Sequence, residues 1–206
     1  MIKINHVLQL FPEVVGIYTT STDSNKILKV LKNSKWIVRT SGLGSQADNG
    51  AYAGKGFNFF SKTPELKKDL KQCVDHYIKD ILKWKTNYRI TTSWATKVKP
   101  GGHAGAHYHS NSWLSGVYYP VGDENFNIRF YSGKRRQWLE TPTEYTINNC
   151  DNWNLPIANN NTLIIFPSLL SHEILPNNSN QNRYSIAFNI FPKGFIGGNS
   201  DSSIKL

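Results

Sequence analysis

Three histidines, His107, His109 and His172, carry the chemistry most legible in this chain. His103, His107 and His109 crowd the segment after Pro100-Gly101-Gly102, and His172 follows Phe166-Pro167-Ser168. Residues at i and i+2 of an extended chain point the same way, so His107 and His109 address one point in space. His172 arrives from a segment distant in sequence and supplies a third vertex. Three protein ligands on one face of a metal leave adjacent positions open for small molecules, which is what oxygen activation by iron requires. Neutral imidazole also suits zinc, copper or nickel, and polar loops carry H-x-H pairs without any metal. Asn111, next on the same face, is a fallback ligand of lesser merit. His6 and His76 stand alone and are assigned no role.

Arg183 adds a second kind of site. It begins the run Arg183-Tyr184-Ser185-Ile186-Ala187-Phe188-Asn189-Ile190, 11 residues after His172. Strand alternation places Arg183, Ser185, Ala187 and Asn189 on one face and the bulky apolar residues on the other. A small, polar face beside a guanidinium suits a strand lining a cavity. The arginine fork binds a carboxylate through two parallel hydrogen bonds, and the Ser185 hydroxyl can add a third.

These residues need a frame. From residue 88 onward the pattern is of short strands between Gly, Pro and Asn turns, at 88–98, 113–119, 126–131, 143–148, 162–166 and 184–191. That spacing predicts an antiparallel sandwich or barrel. The first part reads as helical. Asp23 or Ser24 caps a helix reaching about Asn33, with Ile27, Leu28 and Leu31 on one face. A stronger helix starts at Thr63-Pro64, an N-cap followed by proline at the first helical position. Its stripe of Leu66, Leu70, Val74, Tyr77, Ile78, Ile81 and Leu82 runs to Trp84, a face to pack on a sheet. Residues 40–60 are rich in Gly, Ser and Asn but lack phosphate-loop spacing; they read equally as a surface loop or one that covers substrate. The tail from Lys193 looks loose. One domain is expected over residues 1–206, with a helical part at 1–87 and a β core at 88–192.

Composition narrows the class. With 206 residues, 39% hydrophobic and 18% charged, the chain is globular and long enough to bury a core. No stretch reaches membrane-span length, and the N-terminus lacks the pattern of an export signal. Cys73 and Cys150 form no C-x-x-C pair and read as free thiols of a reducing, cytoplasmic compartment. The net charge of +10 allows a nucleic-acid partner without favouring one. Its lysines are scattered over helix faces, apart from the group Lys134, Arg135 and Arg136.

Taken together, these residues resemble the 2-oxoglutarate/Fe(II)-dependent oxygenases, whose H-x-D/E…H triad is followed about ten residues later by R-x-S. The segment from Gly101-Gly102 to His107-Tyr108-His109 is similar to the G-G-x-x-x-x-H-x-D element of the prolyl-hydroxylase-like branch. A bacterial and phage group is more similar still, through Trp94, His107 with His109, Leu114-Ser115-Gly116-Val117-Tyr118-Tyr119, Phe166-Pro167-Ser168, His172, Arg183-Tyr184-Ser185 and Ile186-Ala187-Phe188-Asn189. The resemblance covers residues 88–192 and implies a β-rich α+β fold. Its core would be a double-stranded β-helix (jelly-roll, cupin-like) with the N-terminal helices packed on one sheet. It implies Fe(II) held by His107, His109 and His172, with 2-oxoglutarate anchored by Arg183 and Ser185. Dioxygen is then the second co-substrate, and an unidentified substrate is hydroxylated with release of succinate and CO2. Exposed edges of such barrels support homodimers.

One departure stands out: His109 occupies the position where most of the superfamily has Asp or Glu. The exchange removes a negative charge beside the metal. Two other readings therefore stay open. One is a three-histidine, cupin-like metalloenzyme that needs no 2-oxoglutarate. The other is a basic nucleic-acid-binding module in which the histidines are incidental.

Overall fold

A computed structural model describes residues 11–38, 45–47, 58–133, 144–197 and 203–206. The first helix, α1 (Ser24–Lys32), starts where the Asp23 carboxylate accepts from the Asn25 N–H, and it buries Ile27 and Leu31. The second, α2 (Pro64–His76), buries Leu66, Leu70 and Val74. Proline sits at its start as expected, but the Thr63 side chain makes no cap bond. Beyond His76 the α-helix gives way to a π-helical turn, Tyr77–Ile81. The wider turn shifts the angular register, so Ile81 and Trp84 face solvent rather than continue the buried stripe. Lys83 then adopts a left-handed φ of 58°, and the Trp84 N–H closes on the Ile78 carbonyl to end the helix.

The region read as helical also contributes strands: β1 (Gly16–Thr19), β2 (Trp36–Val38) and β3 (Ser45–Ala47). The core follows with β4 (Asn87–Val98), β5 (Ala104–His107), β6 (Leu114–Tyr119), β7 (Asp123–Tyr131), β8 (Asn152–Ile157), β9 (Thr162–Pro167), β10 (His172–Ile174) and β11 (Arg183–Lys193). A seven-stranded sheet runs β1-β9-β6-β11-β4-β3-β2, and a four-stranded sheet runs β5-β10-β7-β8. All these ladders are antiparallel.

Strand alternation sorts two cores onto the two faces of the large sheet. Leu114, Tyr118, Leu163, Ile165, Ile186, Phe188 and Ile190 face α1 and α2, and Tyr77 and Ile78 pack there too. Val117, Tyr119, Ile164 and Phe166 face the small sheet, where they meet Phe126, Ile128, Phe130 and Ile157. At the centre, Gly116 has no alternative: an added Cβ would lie 2.3 Å from Phe188 Cζ. Two stacked antiparallel sheets, with helices on the outer face of the larger, form the double-stranded β-helix that the resemblance implies.

The strand expected at 143–148 is not found among the described residues. There the Asn149 side chain accepts from the Thr146 N–H at 2.7 Å and donates to the Glu144 carbonyl at 2.9 Å, closing a turn. Tyr145 and Ile147 are exposed, with no sheet face to bury them. The strand lies further on, at β8. Pro156 argues against it in sequence but is tolerated because β8 is an edge. The tail is less loose than expected: Phe195–Ile196 (β12) pairs with Ile204–Lys205 (β13). Most of loop 40–60 lies outside the described residues, as do His6 and Lys134, Arg135 and Arg136. Among the described residues no helix is long and apolar enough to cross a membrane.

Candidate metal centre

The small sheet sets two of the three histidines side by side. In the β5–β10 ladder His107 pairs with His172, and their ring centroids are 4.4 Å apart. His109 lies past the end of β5, where its backbone N–H donates to the Ser168 carbonyl at 2.9 Å. Its ring comes to 5.4 Å from His107 and 5.2 Å from His172. One nitrogen of each imidazole can be chosen so that the three lie within 4.8 Å of one another. His103 is exposed and outside the cluster, and Asn111 is exposed in a left-handed turn at φ 55°. His76 meets the Tyr18 hydroxyl at 3.1 Å, far from this site in the fold.

Hydrogen bonding fixes which nitrogen each ring offers. His107 Nδ1 lies 2.8 Å from the Gly105 carbonyl oxygen and His172 Nδ1 lies 2.9 Å from that of Leu170. His109 Nδ1 lies 2.7 Å from Asn189 Oδ1. Carbonyl oxygens only accept, so each Nδ1 carries the proton and each Nε2 keeps its lone pair. Burial favours the neutral form of two of the rings, His109 and His172. It holds His109 below its ordinary range and pushes His172 down to about 3, with the neighbouring imidazoles adding to the effect. Three converging imidazoles, each with Nδ1 turned to an acceptor, are a donor set that fits a divalent transition metal.

The cluster opens into a cavity of about 370 Å³ between the two sheets, ample for a small co-substrate. Trp94, Val117, Ile128, Phe166 and Ile174 make its apolar walls, and among the described residues no Asp or Glu lines it. From β11, Ser185, Ala187 and Asn189 all face inward, as alternation predicts. Ser185 Oγ lies 3.0 Å from Thr96 Oγ1 on the paired strand.

Arg183 is not among the lining residues. Its side chain is 2% exposed, behind the cavity wall, with the guanidinium 5.6 Å from the Phe126 ring centre. Both terminal nitrogens share one acceptor, the Leu175 carbonyl oxygen, at 3.4 Å each. Among the described residues no carboxylate pairs with it. Burial lowers its pKa, while the cavity-lining Tyr119 phenol favours the charged form. A buried guanidinium with so few partners fits an anionic group arriving from the cavity.

Sequence reasoning gave no role to Ser115, Ser168, Tyr119 or Thr96. It placed Asn189 on the cavity face without seeing its contact to His109. Alternation shows a residue's face, but not which ring meets it from 80 positions away in the chain.

The comparisons agree with this architecture. The family model described as "Putative 2OG-Fe(II) oxygenase" matches residues 92–189, a span that contains all three histidines and Arg183. Over that span, just under half of the chain, the sequence is similar to the 2-oxoglutarate/Fe(II)-dependent oxygenases. No curated protein matches it in sequence. Its fold is similar to that of SnoN, a non-haem alpha-ketoglutarate-dependent epimerase from nogalamycin biosynthesis, with a TM-score of 0.60, 11% identity and coverage of 87% of this chain and 78% of that one. HygX from Streptomyces hygroscopicus, solved with nickel, 2-oxoglutarate and hygromycin B bound, gives a TM-score of 0.57 at 9% identity, covering 87% and 83%. A Trichoplax adhaerens prolyl hydroxylase, in complex with a hypoxia-inducible-factor peptide fragment, gives 0.53 at 17% identity, covering 86% and 83%.

Proposed function

We propose that this oxygenase holds Fe(II) through His107, His109 and His172, anchors 2-oxoglutarate through Arg183 and Ser185, and hydroxylates a further substrate. The observation that carries the reading is the convergence of three imidazoles on a cavity backed by a buried guanidinium that has no carboxylate partner among the described residues. When bound, Fe(II) with the 2-oxo acid supplies oxidising power: dioxygen is reduced, 2-oxoglutarate is decarboxylated to succinate and CO2, and a substrate C–H bond is oxidised.

The chain's own residues bind, orient and exclude water. The carbonyls of Gly105 and Leu170 hold the Nδ1 protons of His107 and His172, keeping Nε2 available to a metal. Arg183 neutralises the distal carboxylate, and the Ser185 hydroxyl donates to it. Trp94, 5.6 Å from His109 between ring centres, and Phe166, 4.7 Å from His172, exclude water around the ligands. No side chain is asked to act as a general base. Free Cys73 and Cys150 fit the cytoplasmic setting read from the sequence.

The test is an anaerobic titration of metal-free protein with Fe(II), then 2-oxoglutarate, watching for the visible charge-transfer band of a chelated keto acid. Its appearance is expected. Fe(II) binding with no band at saturating keto acid would refute the co-substrate role and favour a three-histidine centre that engages its substrate directly.

A further inference from the structure

The departure at His109 raises a question of geometry. A carboxylate offers a lone pair on either oxygen, whatever its surroundings. Neutral imidazole offers only one, and presents an N–H to the metal if its proton sits on the wrong nitrogen. His107 and His172 solve this locally, each using the backbone carbonyl two residues earlier. His109 has left its strand and takes its acceptor from Asn189, 80 residues further on.

We propose that Asn189, held by Ser115 (itself bonded to Ser168), is the positioning residue for His109: its side-chain oxygen takes the Nδ1 proton and aims Nε2 at the point shared with His107 and His172. This rests on the metal-centre reading given above.

With Oδ1 of the amide facing His109 and Ser115, the hydrogen-bond network is self-consistent and leaves His109 Nε2 unprotonated. Asn189 and Ser115 sit opposite each other in the β11–β6 ladder. The Ser115 hydroxyl donates to Asn189 Oδ1 at 3.0 Å, and its oxygen lies 3.1 Å from His109 Nδ1. With that proton spent, the Ser168 hydroxyl donates to Ser115 Oγ at 2.8 Å. The Ser168 carbonyl meanwhile accepts from the His109 backbone N–H. Turning the amide over would point its N–H groups at both Ser115 and His109. It would then force the imidazole proton onto Nε2. The β11–β4 register also slips between Asn189 and Ile190, the kind of bulge that re-aims a side chain beside an active site. His109 is thus tied at backbone and ring to the large sheet, while His107 and His172 belong to the small one.

The experiment compares wild type, Asn189→Asp and Asn189→Leu with Fe(II) alone as the probe, by anaerobic calorimetry. Asn189→Asp keeps an acceptor oxygen and is expected to bind within about threefold of wild type or more tightly. Asn189→Leu loses the acceptor and is expected to bind roughly 10- to 100-fold more weakly, the range seen when such outer partners are removed. A merely structural role would not be rescued by the acidic variant. In parallel, long-range proton–nitrogen NMR on the metal-free wild type reads the His109 tautomer directly, with the proton expected on Nδ1; this needs no variant to fold. Unchanged Fe(II) affinity in Asn189→Leu, or a wild-type proton on Nε2, overturns the proposal. Failure of the wild type to bind Fe(II) at all overturns the metal-centre reading instead.

Discussion

Replacing Arg183 by Met should move stability and co-substrate affinity in opposite directions. The guanidinium is 2% exposed, and its recorded protein hydrogen bonds are two long ones to the Leu175 carbonyl oxygen. A charge buried with so little compensation costs the metal-free protein stability, and exchanging buried ionic groups for apolar ones of similar size is often stabilising by about 1–4 kcal/mol. Met matches the length of the stem and keeps the contact with Phe126. At the lower half of that range, about 1–2 kcal/mol, the melting temperature should rise by about 2–8 °C for a chain of this size. Co-substrate binding should suffer, because hydrogen bonds to charged groups contribute about 1.5–3 kcal/mol each. Losing a pair at the lower end removes about 3 kcal/mol, on the order of a 100-fold rise in Kd for 2-oxoglutarate. The assays are a thermal melt of the metal-free variant and a 2-oxoglutarate titration of the Fe(II) form. Unchanged 2-oxoglutarate affinity would remove Arg183 from the anchoring role. A melting temperature several degrees lower would show instead that the guanidinium supports the fold.

Two further outcomes follow from the packing and the buried rings. His172 is pushed down to about 3 from 6.5, so in the metal-free protein the unfolded chain takes up its proton first as pH falls. Its contribution is fully present above pH 6.5 and declines below it. From about pH 6.5 to about pH 5 the loss is about 2 kcal/mol, a fall in melting temperature of about 4–8 °C; His109, lowered in the same direction, adds to it. A flat profile over that interval would contradict the buried, neutral state of these rings. Gly116→Ala places a Cβ 2.3 Å from the ring of the wholly buried Phe188, itself packed 5.4 Å from Phe60 between ring centres. Overpacking of this kind costs about 1–3 kcal/mol. Denaturant unfolding should show it, and a variant as stable as wild type would mean that the ring has room to move.

Much of the core was legible because strand periodicity is local. The alternation from Arg183 to Ile190 assigns its two faces correctly, since successive side chains on any strand point to opposite sides. The helix starts at Asp23 and Pro64 follow from side-chain and ring constraints within a few residues. The errors fell where local chemistry competes with pattern. Alternation at 143–148 lost to the Asn149 side chain, and the proline in β8 was admitted by an edge position that only the assembled sheet defines.

By itself, the sequence determined the kind of chemistry available: three imidazoles, an arginine fork and the spacing that relates them to an oxygenase family. Which nitrogen each imidazole presents was decided only by the tertiary structure, because the acceptors are set by packing. The Gly105 and Leu170 carbonyls lie near their histidines in sequence, but Asn189 reaches His109 only when β11 lies beside β6. The setting of Arg183 is tertiary too. That no carboxylate among the described residues pairs with it depends on the segments packed around it, and no local pattern carries that information.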